Sequence, residues 1–135
     1  MGHYFRRRHE FIIFASKGKK PVNARNIPDV WRFKRVMPVK YPTQKPVELF
    51  EAMLTASSEK DYLVCDPFLG SGSAAVAALK YNCHFVGADI SKTAVETSRE
   101  RIARFYEART DFLQEKSMLV EGENYKWLKN YGKPV

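Results

Sequence analysis

The chain has 135 residues, 44% of them hydrophobic, so its size and composition predict one domain, 1–135, with an ordinary core. The formal net charge of +8 favours a polyanionic partner such as nucleic acid, and a basic protein without such a partner is the alternative. No apolar run approaches the ~18 residues that a membrane helix needs, so no membrane partner and a cytoplasmic location are expected.

The two cysteines and three histidines predict no metal site. Cys65 and Cys83 lie in apolar runs, and we expect buried thiols in a reducing compartment. His3, His9 and His84 lack the spacing of metal ligands.

The amino-terminal part predicts a strand followed by a long connection. Residues 9–14 are short, apolar and β-prone, so they predict a strand within a first region, 1–18. Residues 19–42 carry prolines, aromatics and bases without a clear period, which predicts a connecting loop. This part carries the side chains expected to contact nucleic acid, which are Arg6, Arg7, Arg8, Arg32, Lys34 and Arg35, with Trp31 and Phe33 available to stack on bases. For any one of these charges, simple solvation is the alternative.

Residues 43–107 predict the core of the domain. Pro46 can open a helix whose Val47, Phe50 and Leu54 form an apolar stripe, and Ser91 can cap the last helix. After the first helix, the pattern predicts a strand, a helix, a strand and a helix at 61–66, 73–81, 83–90 and 92–107. This order is typical of a βαβ unit in an α/β layered domain. In the tail, 108–135, a short helix is expected at 123–131.

The turn after the first predicted strand has the composition of a ligand cradle. Residues 66–73 read Asp-Pro-Phe-Leu-Gly-Ser-Gly-Ser, and Gly70 and Gly72 give the backbone freedom for a close approach to a ligand. Asp66 and Asp89 each follow a strand, so both carboxylates are expected at the edge where open α/β sheets bind ligands. Asp89 can accept hydrogen bonds from both hydroxyls of a ribose, which predicts a nucleoside-containing cofactor.

Two cofactors compete for this cradle. Gly70-x-Gly72-x-x-Ala75 with Asp89 fits the loose dinucleotide fingerprint, which favours a cofactor such as NAD. Asp66 would repel a pyrophosphate, but it would suit the sulfonium and the ammonium of S-adenosylmethionine. A tight strand-to-helix turn without a ligand is the third alternative.

The motifs around the cradle resemble those of the β-type DNA amino-methyltransferases, which methylate adenine N6 or cytosine N4. Residues 41–49, Tyr-Pro-Thr-Gln-Lys-Pro-Val-Glu-Leu, resemble the family's HPTQKP segment, and 66–73 resemble the DPFxGSGT segment that follows it in this family. Residues 8–13 and 98–102 resemble two further family segments, and the resemblance covers about residues 4 to 105. It implies DNA methylation, as in restriction-modification, and a partial Rossmann-like methyltransferase fold with a truncated sheet.

The resemblance also implies S-adenosylmethionine as the cofactor and assigns residues to it. Residues 43–45 would line the methionine end, Asp66 would face the amino group, and Asp89 would hold the ribose. Ser71 or Ser73 would face the carboxylate or ribose side. The implied cofactor-binding set is Thr43, Gln44, Lys45, Asp66, Phe68, Gly70, Ser71, Gly72, Ser73 and Asp89.

The family's catalytic motif, a polar residue followed by Pro-Pro and an aromatic residue, is missing from the sequence. The prolines stand at 21, 28, 38, 42, 46, 67 and 134, and no two are adjacent. In the family, this motif accepts the protons of the target amine and stacks on a flipped base. The chain therefore resembles the carboxyl-terminal portion of such an enzyme, and no catalytic residue is assigned to it.

We expect either a subunit of a split enzyme or a truncated copy, with activity only beside a partner chain that carries the motif. An incomplete sheet should leave apolar edges exposed, so a partner interface or a homo-oligomer is expected. A non-catalytic DNA- or nucleotide-binding remnant is the alternative.

Overall fold

The computed structural model describes residues 5, 8–23, 25–37 and 41–117. Within these ranges the chain forms α1 (Val47–Ser57), β1 (Leu63–Asp66), α2 (Ser73–Lys80), β2 (His84–Gly87) and α3 (Lys92–Ser117). The order of helices and strands predicted for 43–107 and the α/β class are confirmed. Both strands are shorter than predicted, and α3 continues to Ser117 instead of ending near 107. The helix expected at 123–131 lies outside the described residues.

The strand predicted at 9–14 is wrong. These residues form neither strand nor helix, and Phe11 and Ile13 are 89% and 91% exposed. A strand requires hydrogen bonds to a neighbouring strand, and the only pairing among the described residues joins β1 to β2. The described part of the connection, 19–23, 25–37 and 41–42, also contains no helix or strand.

Helix α2 lies at the centre of the fold, where it packs against α1, α3 and both strands. Its Ala77 and Ala78 are fully buried, and such small side chains let the neighbouring elements approach closely. Leu54 of α1 joins them in the core, with Val47 and Phe50 packed around it, so the predicted apolar stripe is confirmed.

The two strands are parallel, with Val64 opposite Phe85 and Cys65 opposite Val86. Val64 and Phe85 pack against the helical core. The alternate side chains point the other way, where Leu63 is 67% and Val86 is 50% exposed. We call the surface formed by Leu63, Cys65, His84 and Val86 the open face. Parallel strands are ordinarily covered on both faces, so this exposed apolar surface is unusual.

The two cysteines differ in their surroundings. Cys83 is buried, as predicted, whereas the prediction that Cys65 is buried is wrong. The sequence around Cys65 is apolar, but its side chain lies on the open face, which the helices do not cover. No helix in the described part of the chain is long and apolar enough to cross a membrane.

Candidate functional site

The loop from Asp66 to Gly72 connects β1 to α2 at the carboxyl-terminal edge of the sheet. Leu69 N donates to Ala88 O at 2.9 Å, which ties this loop to the end of β2. Gly72 N donates to Leu69 O at 2.9 Å and closes the turn before the helix. Gly70 and Gly72 have φ angles of +51° and +76°, in the left-handed region that favours glycine.

The Asp89 carboxylate joins the loop to the start of α3. Its Oδ2 accepts from Gly70 N and its Oδ1 accepts from Ser91 N, both at 2.8 Å. These backbone hydrogen bonds, first that from Ser91 and then that from Gly70, lower the pKa of Asp89 below its ordinary value of 3.8. The group is therefore ionised at neutral pH, and each carboxylate oxygen retains a lone pair for a ligand.

Asp66 lies at the same edge of the sheet as Asp89. It pairs with Gly87 in the parallel register, and Asp89 follows two residues later. Asp66 Oδ1 accepts from Phe68 N at 3.0 Å, which holds the carboxylate beside the turn. Phe68 itself is 86% exposed, so its ring is available to a ligand. The structure thus brings the two predicted acids together around the turn.

The two glycines of the turn have different surroundings. A Cβ at Gly70 would come no closer than 3.8 Å to its nearest neighbours, Phe68 O and the Tyr41 ring. A Cβ at Gly72 would lie 2.7 Å from the Cβ of Ser98 on α3. Gly70 is therefore required by its φ rather than by a close contact, while Gly72 also allows the loop to pack tightly against α3.

The hydroxyls of Ser71 and Ser73 are directed into the protein. Both residues are buried, at 5% and 4% exposure. Ser73 Oγ donates to Lys45 O at 2.7 Å. Arg101 Nη1 on α3 donates to Ser71 O at 2.7 Å and to the two hydroxyls at 3.0 Å. Burial lowers the pKa of the Arg101 guanidinium.

Arg101 contacts the turn, and the sequence prediction assigned it no role. In the sequence it stands out only as part of the segment 98–102, which resembles a family segment. The available signal was its spacing from Ser98, because residues three apart on a helix share a face.

Residues 43–45 lie beside the loop because Lys45 O accepts from Ser73. The Lys45 ammonium donates to the Glu10 carboxylate, which brings the amino-terminal segment to the same region. Gln44 N donates to Tyr41 O at 3.3 Å within a turn. Thr43 has a φ of +63°, which is rare and strained for a β-branched residue.

The residues predicted to contact nucleic acid are exposed where they are described. Arg8, Arg32, Lys34 and Arg35 all lie at the surface, whereas Arg6 and Arg7 fall outside the described residues. Trp31 packs edge to face with Phe33, at 6.4 Å between ring centroids, and its Nε1 donates to Pro28 O at 2.7 Å. Across the described ranges, no group of His, Cys, Asp and Glu could hold a metal ion.

A parallel βαβ unit with a glycine turn and two acids at its strand edge is typical of the nucleotide-binding half of a Rossmann-like fold. The particular family follows from comparison with known proteins. The N6_N4_Mtase family model, described as DNA methylase, matches residues 1–100, and the chain belongs to this family. The resemblance to DNA amino-methyltransferases is thereby confirmed.

Individual relatives carry related names. Type II methyltransferase M2.DpnII of Streptococcus pneumoniae is 30% identical over 117 residues, which cover 73% of this chain and 44% of the relative. DNA adenine methyltransferase YhdJ of Escherichia coli (strain K12) is 29% identical over 127 residues, covering 82% of this chain and 43% of the relative.

The solved structure of the M1.HpyAVI-SAM complex resembles the fold with a TM-score of 0.52 and 28% identity, covering 62% of this chain and 43% of that one. The chain thus spans less than half the length of these relatives.

Proposed function

We propose that this chain is the S-adenosylmethionine-binding part of a DNA amino-methyltransferase that acts on adenine N6 or cytosine N4. The observation that carries the proposal is the pair of carboxylates, Asp66 and Asp89, placed around the open turn at Gly70. Family membership and the cofactor named in the M1.HpyAVI-SAM complex support the same function. When bound, S-adenosylmethionine supplies a methyl group activated by its positive sulfur.

The described residues fit this cofactor better than a dinucleotide. Asp66 offers a negative charge to a ligand that carries an ammonium and a sulfonium, and Asp89 offers acceptor positions to ribose hydroxyls. A dinucleotide would need free backbone N–H groups at the turn for its pyrophosphate. Here Gly70 N already donates to Asp89, and two carboxylates would repel phosphate.

Residues 43–45 complete the proposed site. The positive φ of Thr43 stores backbone strain, and strain of this kind is concentrated at functional sites. The hydrogen bond from Ser73 to Lys45 O keeps this segment beside the cradle. We assign Thr43, Gln44 and Lys45 to the methionine end of the cofactor.

Calorimetry of the full chain with S-adenosylmethionine tests the cofactor, with NAD as the competing ligand. Asp66→Asn removes one charge-assisted contact worth about 1.5–3 kcal/mol, so we expect affinity to fall about ten- to hundredfold. Asp61→Asn is the matched control, since Asp61 is exposed at the opposite end of the same strand region. Asparagine also tolerates the positive φ of +67° at that position.

Binding of NAD in place of S-adenosylmethionine would overturn the assignment of the cofactor. Binding of neither ligand would support the non-catalytic remnant. Equal losses in Asp66→Asn and Asp61→Asn would show that the carboxylate at the strand edge is not a ligand.

We further propose that DNA is the substrate and that it contacts the basic residues of the connection. Arg32→Ala, Lys34→Ala and Arg35→Ala together remove three charges from this segment. Lys60→Ala, Lys92→Ala and Arg99→Ala remove three exposed charges elsewhere and serve as the control. The first triple variant should weaken binding to a DNA duplex strongly and flatten its dependence on salt, because each phosphate contact releases counterions. Equal losses in both variants would indicate unspecific attraction to a basic protein.

We also propose that a partner chain supplies the missing Pro-Pro motif and covers the open face. The sequence contains no adjacent prolines, and the chain spans less than half of its relatives. Methylation of DNA should therefore require the chain together with a protein that carries the motif. Methylation by the chain alone would refute the need for a partner.

Cys65 gives a direct readout of partner binding. Its exposed thiol on the open face should react readily with a thiol reagent and become protected in the complex. Cys83 serves as the internal reference, since burial raises the pKa of its thiol and keeps it slow to react.

A further inference from the structure

We propose that Arg101 is a positioning residue that holds the cradle in its ligand-binding shape. Two residues of α3, Ser98 and Arg101, contact Ser71, Gly72 and Ser73 of the turn, and we call this set of contacts the clasp. This role of Arg101 rests on the proposed function, because the cradle is taken to bind S-adenosylmethionine.

The clasp has two points of contact on one face of α3. At Ser98, which is 1% exposed, the helix approaches Gly72 so closely that no Cβ would fit there. One turn later, Arg101 Nη1 donates to Ser71 O and to the hydroxyls of Ser71 and Ser73 at 2.7–3.0 Å. Residues three apart lie on the same side of a helix, so both contacts act on the same short loop.

Asp89 holds a second point of the same loop. Its carboxylate accepts from Gly70 N, while the Arg101 guanidinium donates to the carbonyl of the next residue, Ser71. Two neighbouring residues of the loop are therefore held by charged groups: Gly70 by the carboxylate of Asp89 and Ser71 by the guanidinium of Arg101. Hydrogen bonds that involve charged groups are roughly twice as strong as neutral ones, which makes both ends of this restraint firm.

The restraint extends to residues 43–45. Ser73 Oγ receives a hydrogen bond from Arg101 and donates its own to Lys45 O at 2.7 Å. We therefore assign the two serine hydroxyls to holding the loop. The backbone and the shape of the turn, rather than these hydroxyls, face the ligand.

Partial burial of a cation costs free energy because the charge loses part of its hydration. Arg101 is half-buried, and none of the ion pairs of the described residues includes it. Among the described residues, the acceptors of its hydrogen bonds are three neutral oxygens of the turn. Fixing a binding loop in advance lowers the entropy lost on binding, and this is the advantage that we assign to Arg101.

The test compares Arg101→Met, Arg101→Lys and Arg104→Met in the full chain. Methionine keeps an unbranched side chain but donates no hydrogen bond, and lysine restores one donor group. Arg104 lies on the same helix, is exposed and, among the described residues, forms an ion pair with Glu100, so Arg104→Met is the matched control.

Two readouts are measured on each variant: the affinity for S-adenosylmethionine by calorimetry, and hydrogen exchange of the amides of residues 69–74 without ligand. Arg101→Met should lose about tenfold or more in affinity for S-adenosylmethionine. Relative to the wild type, its amides at 69–74 should exchange faster, while those of α1 should not. Arg101→Lys should recover part of both, and Arg104→Met should match the wild type.

Unchanged exchange at 69–74 in Arg101→Met, or a uniform increase that includes α1, would overturn the proposal. If Arg101→Met does not fold, Arg101→Lys decides, and wild-type exchange at 69–74 in that variant would count against the clasp. If the wild type binds no S-adenosylmethionine, the proposed function fails, while the exchange comparison without ligand still decides whether Arg101 holds the loop.

Discussion

Gly72 combines two demands that no other residue type meets. Its φ of +76° is left-handed, and a Cβ there would lie 2.7 Å from Ser98 Cβ and 3.1 Å from its Cα. A left-handed conformation costs a non-glycine residue about 1–2 kcal/mol, and overpacking of a fixed interior costs about 1–3 kcal/mol more.

We compare the loss of stability in Gly72→Ala with that in Gly18→Ala. Gly18 has nearly the same conformation, with a φ of +81°, but nothing lies within 4 Å of its added Cβ. Gly72→Ala should therefore lower the free energy of unfolding by about 1–3 kcal/mol more than Gly18→Ala does. Urea unfolding at equal m-values measures the difference. Similar losses in both variants would mean that α3 moves aside to accommodate the methyl group.

The residues of the cradle were predictable to different degrees. Asp66, Gly70 and Asp89 could be placed at one edge from the order of strands and turns, because parallel strands deliver their ends to the same side of a sheet. The role of Arg101 could not be placed, because it depends on how α3 crosses the loop. The inward direction of the Ser71 and Ser73 hydroxyls depends on the same packing.

Local sequence patterns predict secondary structure correctly for some segments and not for others. The residues at 9–14 are as β-prone as those of β1, yet they form no strand, because pairing depends on a neighbour that the local sequence does not specify. The end of α3 was predicted too early for another reason. The apolar period weakens after 107, but no glycine or proline interrupts the sequence before Ser117, so the helix continues.

The connection before α1 is attached to the end of that helix by Asn23. Its backbone N–H donates to Ala56 O at 2.8 Å, and its side-chain amide donates to Ser58 O at 2.8 Å and Thr55 O at 3.2 Å. These are carbonyls at the end of the helix, where partners within the helix run out. A remote asparagine thus acts as a cap that sequence analysis of α1 would not reveal.

Asn23→Ala should destabilise the protein by about 1–3 kcal/mol, because two side-chain hydrogen bonds of roughly 0.5–1.5 kcal/mol each are lost. Asn26→Ala, at an exposed asparagine of the same connection, is the control and should change little. Thermal and urea unfolding of both variants measure the effect. A loss confined to Asn26→Ala would contradict the capping role of Asn23.

In the part of the chain that the structure describes, the sheet is covered by helices on one side and exposed on the other. Helices cover Val64 and Phe85, while the open face presents Leu63, Cys65 and Val86 to solvent. A parallel sheet is a buried structure in most proteins, so this surface should find a cover by association. A partner chain would provide that cover in the proposed complex, and a second copy would provide it for the chain alone.

Leu63→Lys tests whether the chain self-associates through the open face. Leu63 is 67% exposed on the open face, and Val30 is 68% exposed in the connection, so Leu63→Lys and Val30→Lys make nearly matched changes in charge and exposure. We expect the wild type and Val30→Lys to self-associate as concentration rises, and Leu63→Lys to remain monomeric because a charge on the face opposes its burial. Sedimentation over a range of concentrations measures the association. A wild-type chain that stays monomeric and folded throughout would show that the open face needs no cover, and equal association of both lysine variants would place the interface elsewhere.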